Sequence, residues 1–140
     1  MPLILVVDDE DSQRRLVRVI LQKNLGLQEE DILEAASAEK AEELIRTEPY
    51  DLAILDGRLG KIEDAGIKLA SLSKELRSTI PVIIISAYLE DDDLENEARR
   101  VANSFVSKPY PPQALVTMAK KLLDREVEET RGQDKPHGAD

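Results

Sequence analysis

The sequence predicts an α/β protein: a doubly wound (βα)5 fold around a five-stranded parallel sheet. Three observations carry that prediction. Five short apolar runs recur along the 140 residues. Segments with helical apolar spacing separate them. Strands that alternate with crossover helices pair in parallel and are covered on both faces. The length suits one domain rather than two.

The elements follow in order. The apolar runs are LILVV (3–7), ILEAA (32–36), LAIL (52–55), VIII (82–85) and SFVS (104–107). The first, third and fourth are continuously apolar, which suits central strands buried on both faces. Between them, Leu16, Val17, Ile20 and Leu21 make i, i+4 pairs, and Ser37 can cap a helix whose Ala38, Ala41, Leu44 and Ile45 share a face. Leu69, Leu72 and Leu76 form a third stripe, and Leu94, Ala98 and Val101 a fourth. Pro112 suits a first helical turn and precedes Leu115, Ala119 and Leu122. The domain is expected over 1–125. Residues 126–140, EVEETRGQDKPHGAD, read as a frayed helix end and a polar, disordered tail. No effector domain fits after 125, so the chain reads as a stand-alone protein or a piece of a longer one.

Composition narrows the function. A net charge of −10 argues against nonspecific nucleic-acid binding by this chain. The absence of cysteine excludes disulfides and thiolate metal sites and is compatible with a reducing cytoplasm. No apolar run approaches the roughly 20 residues of a membrane span, so no membrane insertion is expected. The N-terminus lacks the charged region of a signal peptide.

The chemistry gathers at strand ends. Ligands of doubly wound sheets sit at the carboxyl edge. There the first strand ends in Asp8 and Asp9, the third in Asp56, the fourth in Ser86 and the fifth in Lys108. Like charges at roughly 4 Å and an effective dielectric near 20 repel by about 4 kcal/mol, so the acids either fan out into water or surround a cation. Hard oxygen ligands without Cys or His point to Mg2+. The lysine suits a phosphoryl group.

Each feature also has a plainer explanation. Asp8 and Asp9 alone could be solvated strand-end acids, and Asp56-Gly57 a turn. Ser86 could be a core hydroxyl and Phe105 simple core. Asp91, Asp92 and Asp93 read as acids dressing a helix N-terminus. Arg14, Arg15, Arg99, Arg100, Lys120 and Lys121 read as solvated faces, and His137 as inert.

Taken together, VVDDE with Asp8 and Asp9, LAILDGRLG with Asp56, IIISAY with Ser86-Ala87, and SFVSKPY with Phe105, Lys108 and Pro109 resemble a response-regulator receiver domain, CheY-like, over about residues 3–125. The resemblance implies the flavodoxin-like strand order 2-1-3-4-5 and a role in two-component signalling. Asp56 would accept a phosphoryl group from the phospho-His of a histidine kinase or histidine phosphotransfer protein. Asp8, Asp9, Asp56 and the Arg58 backbone carbonyl would hold Mg2+. Lys108 and Ser86 would contact the phosphoryl group, Ser86 and Phe105 would form the switch, and the Lys108–Pro109 bond is a candidate cis peptide. A face of helix 4, strand 5 and helix 5 would then control a downstream protein effector. No enzymatic activity is implied beyond self-phosphorylation and autodephosphorylation at Asp56.

The sequence departs from that family at Leu59-Gly60, where Met-Pro is usual, and at Val101-Ala102, where Gly-Ala is usual. Neither change alters a charge of the site. Arg58 and Tyr88 are bulky at positions that tune phosphoryl lifetime. Asn103-Ser104 and Met118 stand where the transcription-factor branch forms dimer ion pairs, so that dimer is not favoured. Two other classes remain open: a phosphorylation-independent interaction module, and an aspartyl-nucleophile phosphatase. The phosphatase class wants an Asp two residues after Asp56, where this chain has Arg58.

Overall fold

The computed structural model describes residues 2–87 and 92–134, with side chains except those of 92 and 125–134. The elements run β1 (Ile4–Val7), α1 (Asp11–Leu25), a 3-10 turn (Glu29–Asp31), β2 (Ile32–Ala35), α2 (Ala38–Thr47), β3 (Leu52–Asp56), α3 (Ala65–Leu76), β4 (Val82–Ser86), α4 (Asp92–Val101), β5 (Ser104–Ser107) and α5 (Pro112–Asp134). The strands form one sheet in the order β2-β1-β3-β4-β5, and every neighbouring pair is parallel.

Side-chain alternation divides the core between the two faces. Leu5, Val7, Leu55 and Ile84 pack with Ala41, Leu44, Ile45, Leu69 and Ala98, from α2, α3 and α4. Ile4, Val6, Ile54 and Ile85 pack with Val17, Ile20, Leu21, Leu115, Ala119 and Leu122, from α1 and α5. The continuous apolar runs are indeed the central strands; β2 and β5, whose runs are mixed, lie at the edges. Ile4, Leu5, Ile54, Leu55, Ile83 and Ile84 are all at most 2% exposed. At about 1.5–3 kcal/mol each, these side chains contribute on the order of 10 kcal/mol as an upper estimate.

Helix signals mostly hold. Ser37 caps α2, its side chain accepting from the Lys40 N–H at 3.2 Å, and Pro112 is the first residue of α5. Leu16 and Leu76 do not join the buried stripes; they are 45% and 46% exposed. α1 buries Val17, Ile20 and Leu21, and Leu16 lies about 100° around the helix from Val17. Leu76 is the last residue of α3, whose buried face runs through Gly66, Ala70 and Ser73 instead. α5 keeps helical backbone to Asp134, beyond 125 where the apolar stripe fades. Glu and Arg favour helix without a buried face, so loss of the stripe did not mark its end. The remainder of the expected tail, 135–140 with His137, lies outside the described residues, as does Tyr88.

The register sets the carboxyl edge. Val7 lies opposite Leu55, Asp56 opposite Ile85, and Ser86 opposite Ser107. The residues that follow each pairing therefore emerge side by side.

Candidate functional site

Asp8 stays in the sheet's reach for one residue past β1. Its N–H donates to the Ala35 carbonyl at 3.1 Å, and its Oδ1 accepts from the Glu10 N–H at 2.9 Å. This side-chain turn starts α1 and leaves Asp8 only 6% exposed. Asp9 is exposed and turns toward the β3–α3 loop, where its Oδ2 accepts from the Gly60 N–H at 3.0 Å. Asp56 ends β3. Side-chain oxygens of Asp8, Asp9 and Asp56 all lie within 4.8 Å of one another. Glu10 and Asp11, the acids that follow Asp9 in the chain, are exposed and not part of this cluster.

Lys108 is the cation among these acids. Its Nζ lies 3.3 Å from Asp8 Oδ2 and 3.7 Å from Asp56 Oδ1. The Lys108 N–H donates to the Ser86 carbonyl at 2.8 Å, and the Lys108–Pro109 bond is cis. One ammonium does not neutralise three carboxylates. Burial, and then the Asp8 charge, push the Asp56 carboxyl from 3.8 up to about 7, against the opposing pull of Lys108 and the Arg58 amide. The donor set is all hard oxygen, with charge to spare, and so fits a hard divalent cation such as Mg2+.

Two glycines shape this edge. Gly57 was legible only as a turn residue, yet a Cβ there would lie 3.0 Å from Ser86 Cβ and 3.1 Å from its Oγ. Its smallness brings the buried Ser86 hydroxyl against the backbone next to Asp56. Gly66 lies inside the apolar spacing of α3, where the sequence marks no turn. Its N–H donates to the Gly57 carbonyl at 3.0 Å, and a Cβ would stand 2.6 Å from the Asp56 carbonyl oxygen. A glycine inside a helical stripe is the signal that could have found it.

The β3–α3 loop explains one departure from the family pattern. Leu59 and Ile62 exchange backbone bonds of 3.1 and 2.9 Å, closing a tight turn in which Gly60 has φ +57°. Proline cannot take that φ and has no N–H for Asp9. The change at Gly60 thus leaves the charge count alone but adds a donor to one acid. The Arg58 Nε donates to the Gly60 carbonyl at 3.1 Å, tying that bulky side chain to its own loop.

Phe105 is half-buried on β5, opposite Ile84, with the Arg99 guanidinium 4.6 Å from its ring centre. Arg99 is exposed, as expected, and also lies over that ring. Arg14 is not a merely solvated charge: its side chain is 15% exposed and bonded to Asp8. Arg15, Arg100, Lys120 and Lys121 are exposed, as expected. Asn103 is engaged within the fold, its Oδ1 accepting from the Val82 N–H at 2.9 Å and from Lys74. Met118 is half-buried beside the α1–α5 core. Of the acids expected at the start of α4, Asp91 and the Asp92 side chain lie outside the described residues, and Asp93 is exposed. No helix among the described residues is long and apolar enough to cross a membrane.

Known proteins resemble this chain in sequence and fold. The chain is 32% identical over 137 residues to the transcriptional regulatory protein SrrA of Staphylococcus aureus, covering 98% of this chain and 54% of that protein. It thus spans about half the length of the curated relatives it matches. NtrX of Brucella abortus superposes with a TM-score of 0.78 at 28% identity, covering 95% of this chain and 29% of that one. A CheY-like response regulator receiver domain protein from Methanospirillum hungatei JF-1 shares the fold, with a TM-score of 0.80 at 24% identity over 92% of this chain and 98% of that one. The family model for the response regulator receiver domain matches residues 4–120, the whole span from β1 into α5. With its strand order and its acids gathered at the carboxyl edge, the chain belongs to the response regulator receiver domains of two-component signalling.

Proposed function

We propose that this chain is a phosphorylation-dependent switch in which Asp56 accepts a phosphoryl group from the phospho-His of a histidine kinase or histidine phosphotransfer protein. The observation that supports this most is the gathering of Asp8, Asp9 and Asp56 within 4.8 Å beside Lys108, 3.7 Å from Asp56. Asp8, Asp9, Asp56 and the Arg58 carbonyl would hold Mg2+, which when bound offsets negative charge on the phosphoryl oxygens and acceptor carboxylate. An Asp56 carboxylate oxygen attacks phosphorus, the phosphorus–nitrogen bond breaks, and the imidazole leaves with its electron pair. Lys108 pairs with a phosphoryl oxygen. The Ser86 hydroxyl, beside Gly57, donates to another. Its movement opens room on the β4–β5 side for Phe105 to turn inward.

The receiver unit spans 1–125 and works in the cytoplasm. Its α4–β5–α5 face controls a separate protein effector. The SrrA relative is a transcriptional regulatory protein, which supports an output in gene control. A strongly acidic chain is not itself the DNA-binding part. With Asn103 committed to β4 and Met118 in place of a cation, the transcription-factor-type dimer does not form. The only chemistry is phosphorylation and autodephosphorylation of Asp56.

Beryllofluoride and acetyl phosphate separate this reading from its rivals. A switch shows Mg2+-dependent beryllofluoride capture and phosphorylation without turnover of bulk phosphoesters. An interaction module shows neither response, and a phosphatase turns over the esters.

A further inference from the structure

Arg14 reaches from the first turns of α1 to the strand edge, and each nitrogen of its guanidinium has a partner. Nη1 donates to the Asp8 backbone carbonyl at 2.8 Å. Nε donates to Glu34 Oε1 at 3.3 Å, and Nη2 to Asp11 Oδ1. Glu34 belongs to β2 and is itself shared, since Arg18, one turn along α1, pairs with its second oxygen. The Arg18 Nε is buried and has no partner among the described residues. Arg18 shares Glu34 with Arg14 but makes no bond to Asp8 or Asp9 among the described residues.

The Asp8 carbonyl belongs to the peptide that joins Asp8 to Asp9. β1 has ended at Val7. On the other side of Asp8, the N–H is held by Ala35. Rotation of the Asp8–Asp9 peptide would swing one carboxylate relative to the other, and Arg14 opposes that rotation with a charged, planar donor. A lysine in its place would offer a point charge without the fork that engages Asp8, Glu34 and Asp11 together.

We infer that Arg14 is a positioning residue for the Asp8–Asp9 acid pair: oriented by Glu34 and Asp11, its guanidinium fixes the peptide between the two acids and so their spacing as cation ligands. The cation part of this inference rests on the Mg2+ reading above.

The test compares the full chain with Arg14→Gln, Arg14→Lys and Arg18→Gln. The backbone 15N shift of Asp9 is read without metal, and Mg2+ affinity by calorimetry. Arg14→Gln is expected to move the Asp9 shift and to weaken Mg2+ binding about tenfold or more, the scale for an outer partner of a metal ligand. Arg18→Gln, which loses the Glu34 pair but no contact to Asp8, leaves both near wild type. Arg14→Lys recovers neither fully. The inference is overturned if Arg14→Gln matches wild type in the metal-free Asp9 shift, if Arg18→Gln is equally damaging, or if the lysine restores both readouts. Should the glutamine variant fail to fold, the lysine variant carries the same decision. A wild-type chain that binds no Mg2+ refutes the metal reading instead, while the metal-free shift still decides whether Arg14 holds the peptide.

Discussion

The carboxyl edge of the sheet has two unlike halves. On the β1 side Asp8 is held through its N–H by Ala35, through its Oδ1 by Glu10 and through its carbonyl by Arg14. Asp9 is held by the Gly60 amide. On the β4–β5 side Ser86 presses against a glycine, and the half-buried Phe105 is covered by one guanidinium. The first half fixes charges in place. The second has a buried hydroxyl against a glycine and a half-buried aromatic ring, with no charge of its own among those three residues. Asp56 and Lys108 lie between the halves, and the proposed switch would divide binding from reporting along that line.

Removing the link between the halves has the largest expected effect. Lys108→Ala should bind Mg2+ at least as well as wild type, since it deletes a competing cation, yet phosphorylation should hardly move the Phe105 side. A charged hydrogen bond of about 1.5–3 kcal/mol implies loss of coupling by about tenfold or more. Beryllofluoride-induced changes in the NMR spectrum of β5 would check it. A full response in the alanine variant would show that the halves communicate without the lysine.

Next is the packing beneath Asp56. Gly66→Ala places a methyl group against backbone, where neither the Asp56 carbonyl nor Gly57 can yield as a flexible side chain would. Overpacking of this kind costs about 1–3 kcal/mol. Denaturant unfolding should show that loss, together with weaker Mg2+ binding. An unchanged midpoint would mean that α3 starts with more slack than its geometry shows.

The charge held between the halves should appear in the pH dependence of stability. The folded Asp56 carboxyl titrates at about 7 and the ordinary one at 3.8, so the folded state binds that proton more tightly. The contribution of this group to metal-free stability is fully present below about pH 4 and is lost as pH rises toward 7, at up to about 1.4 kcal/mol per unit. Asp56→Asn should remove this part of the slope and be the more stable protein near neutrality. Denaturation in chelator at two pH values would reveal it, and parallel curves for the two proteins would contradict it.

The smallest effect belongs to the β4–β5 half. Arg99→Ala removes a cation–π contact of about 0.5–1 kcal/mol. It should raise the inward population of Phe105 severalfold or less in the unphosphorylated chain, read from ring NMR signals. A ring that does not respond would make Arg99 a bystander.

Fold and site were unequally legible in the sequence. The apolar runs located every strand because central parallel strands are buried on both faces, and strand ends then brought Asp8, Asp56, Ser86 and Lys108 together. Leu16 and Leu76 misled because apolar spacing locates a helix without saying how wide a stripe meets the sheet. The extent of α5 was hidden because a helix can persist on propensity after its apolar face ends. Arg14 read as a surface charge because its partners, the Asp8 carbonyl and Glu34, come from other parts of the chain; Arg99 is exposed as read, but its contact with the Phe105 ring had no signal in the sequence. Gly57 and Gly66 act by what they lack, and close backbone approach leaves little trace in a single sequence.

The most direct test of the account is to map the phosphoryl group after incubation with acetyl phosphate and Mg2+. The account predicts one labelled residue, Asp56, with labelling that requires Mg2+ and is abolished in a folded Asp56→Asn protein. Label on another residue, or undiminished label in the Asn protein, would contradict it.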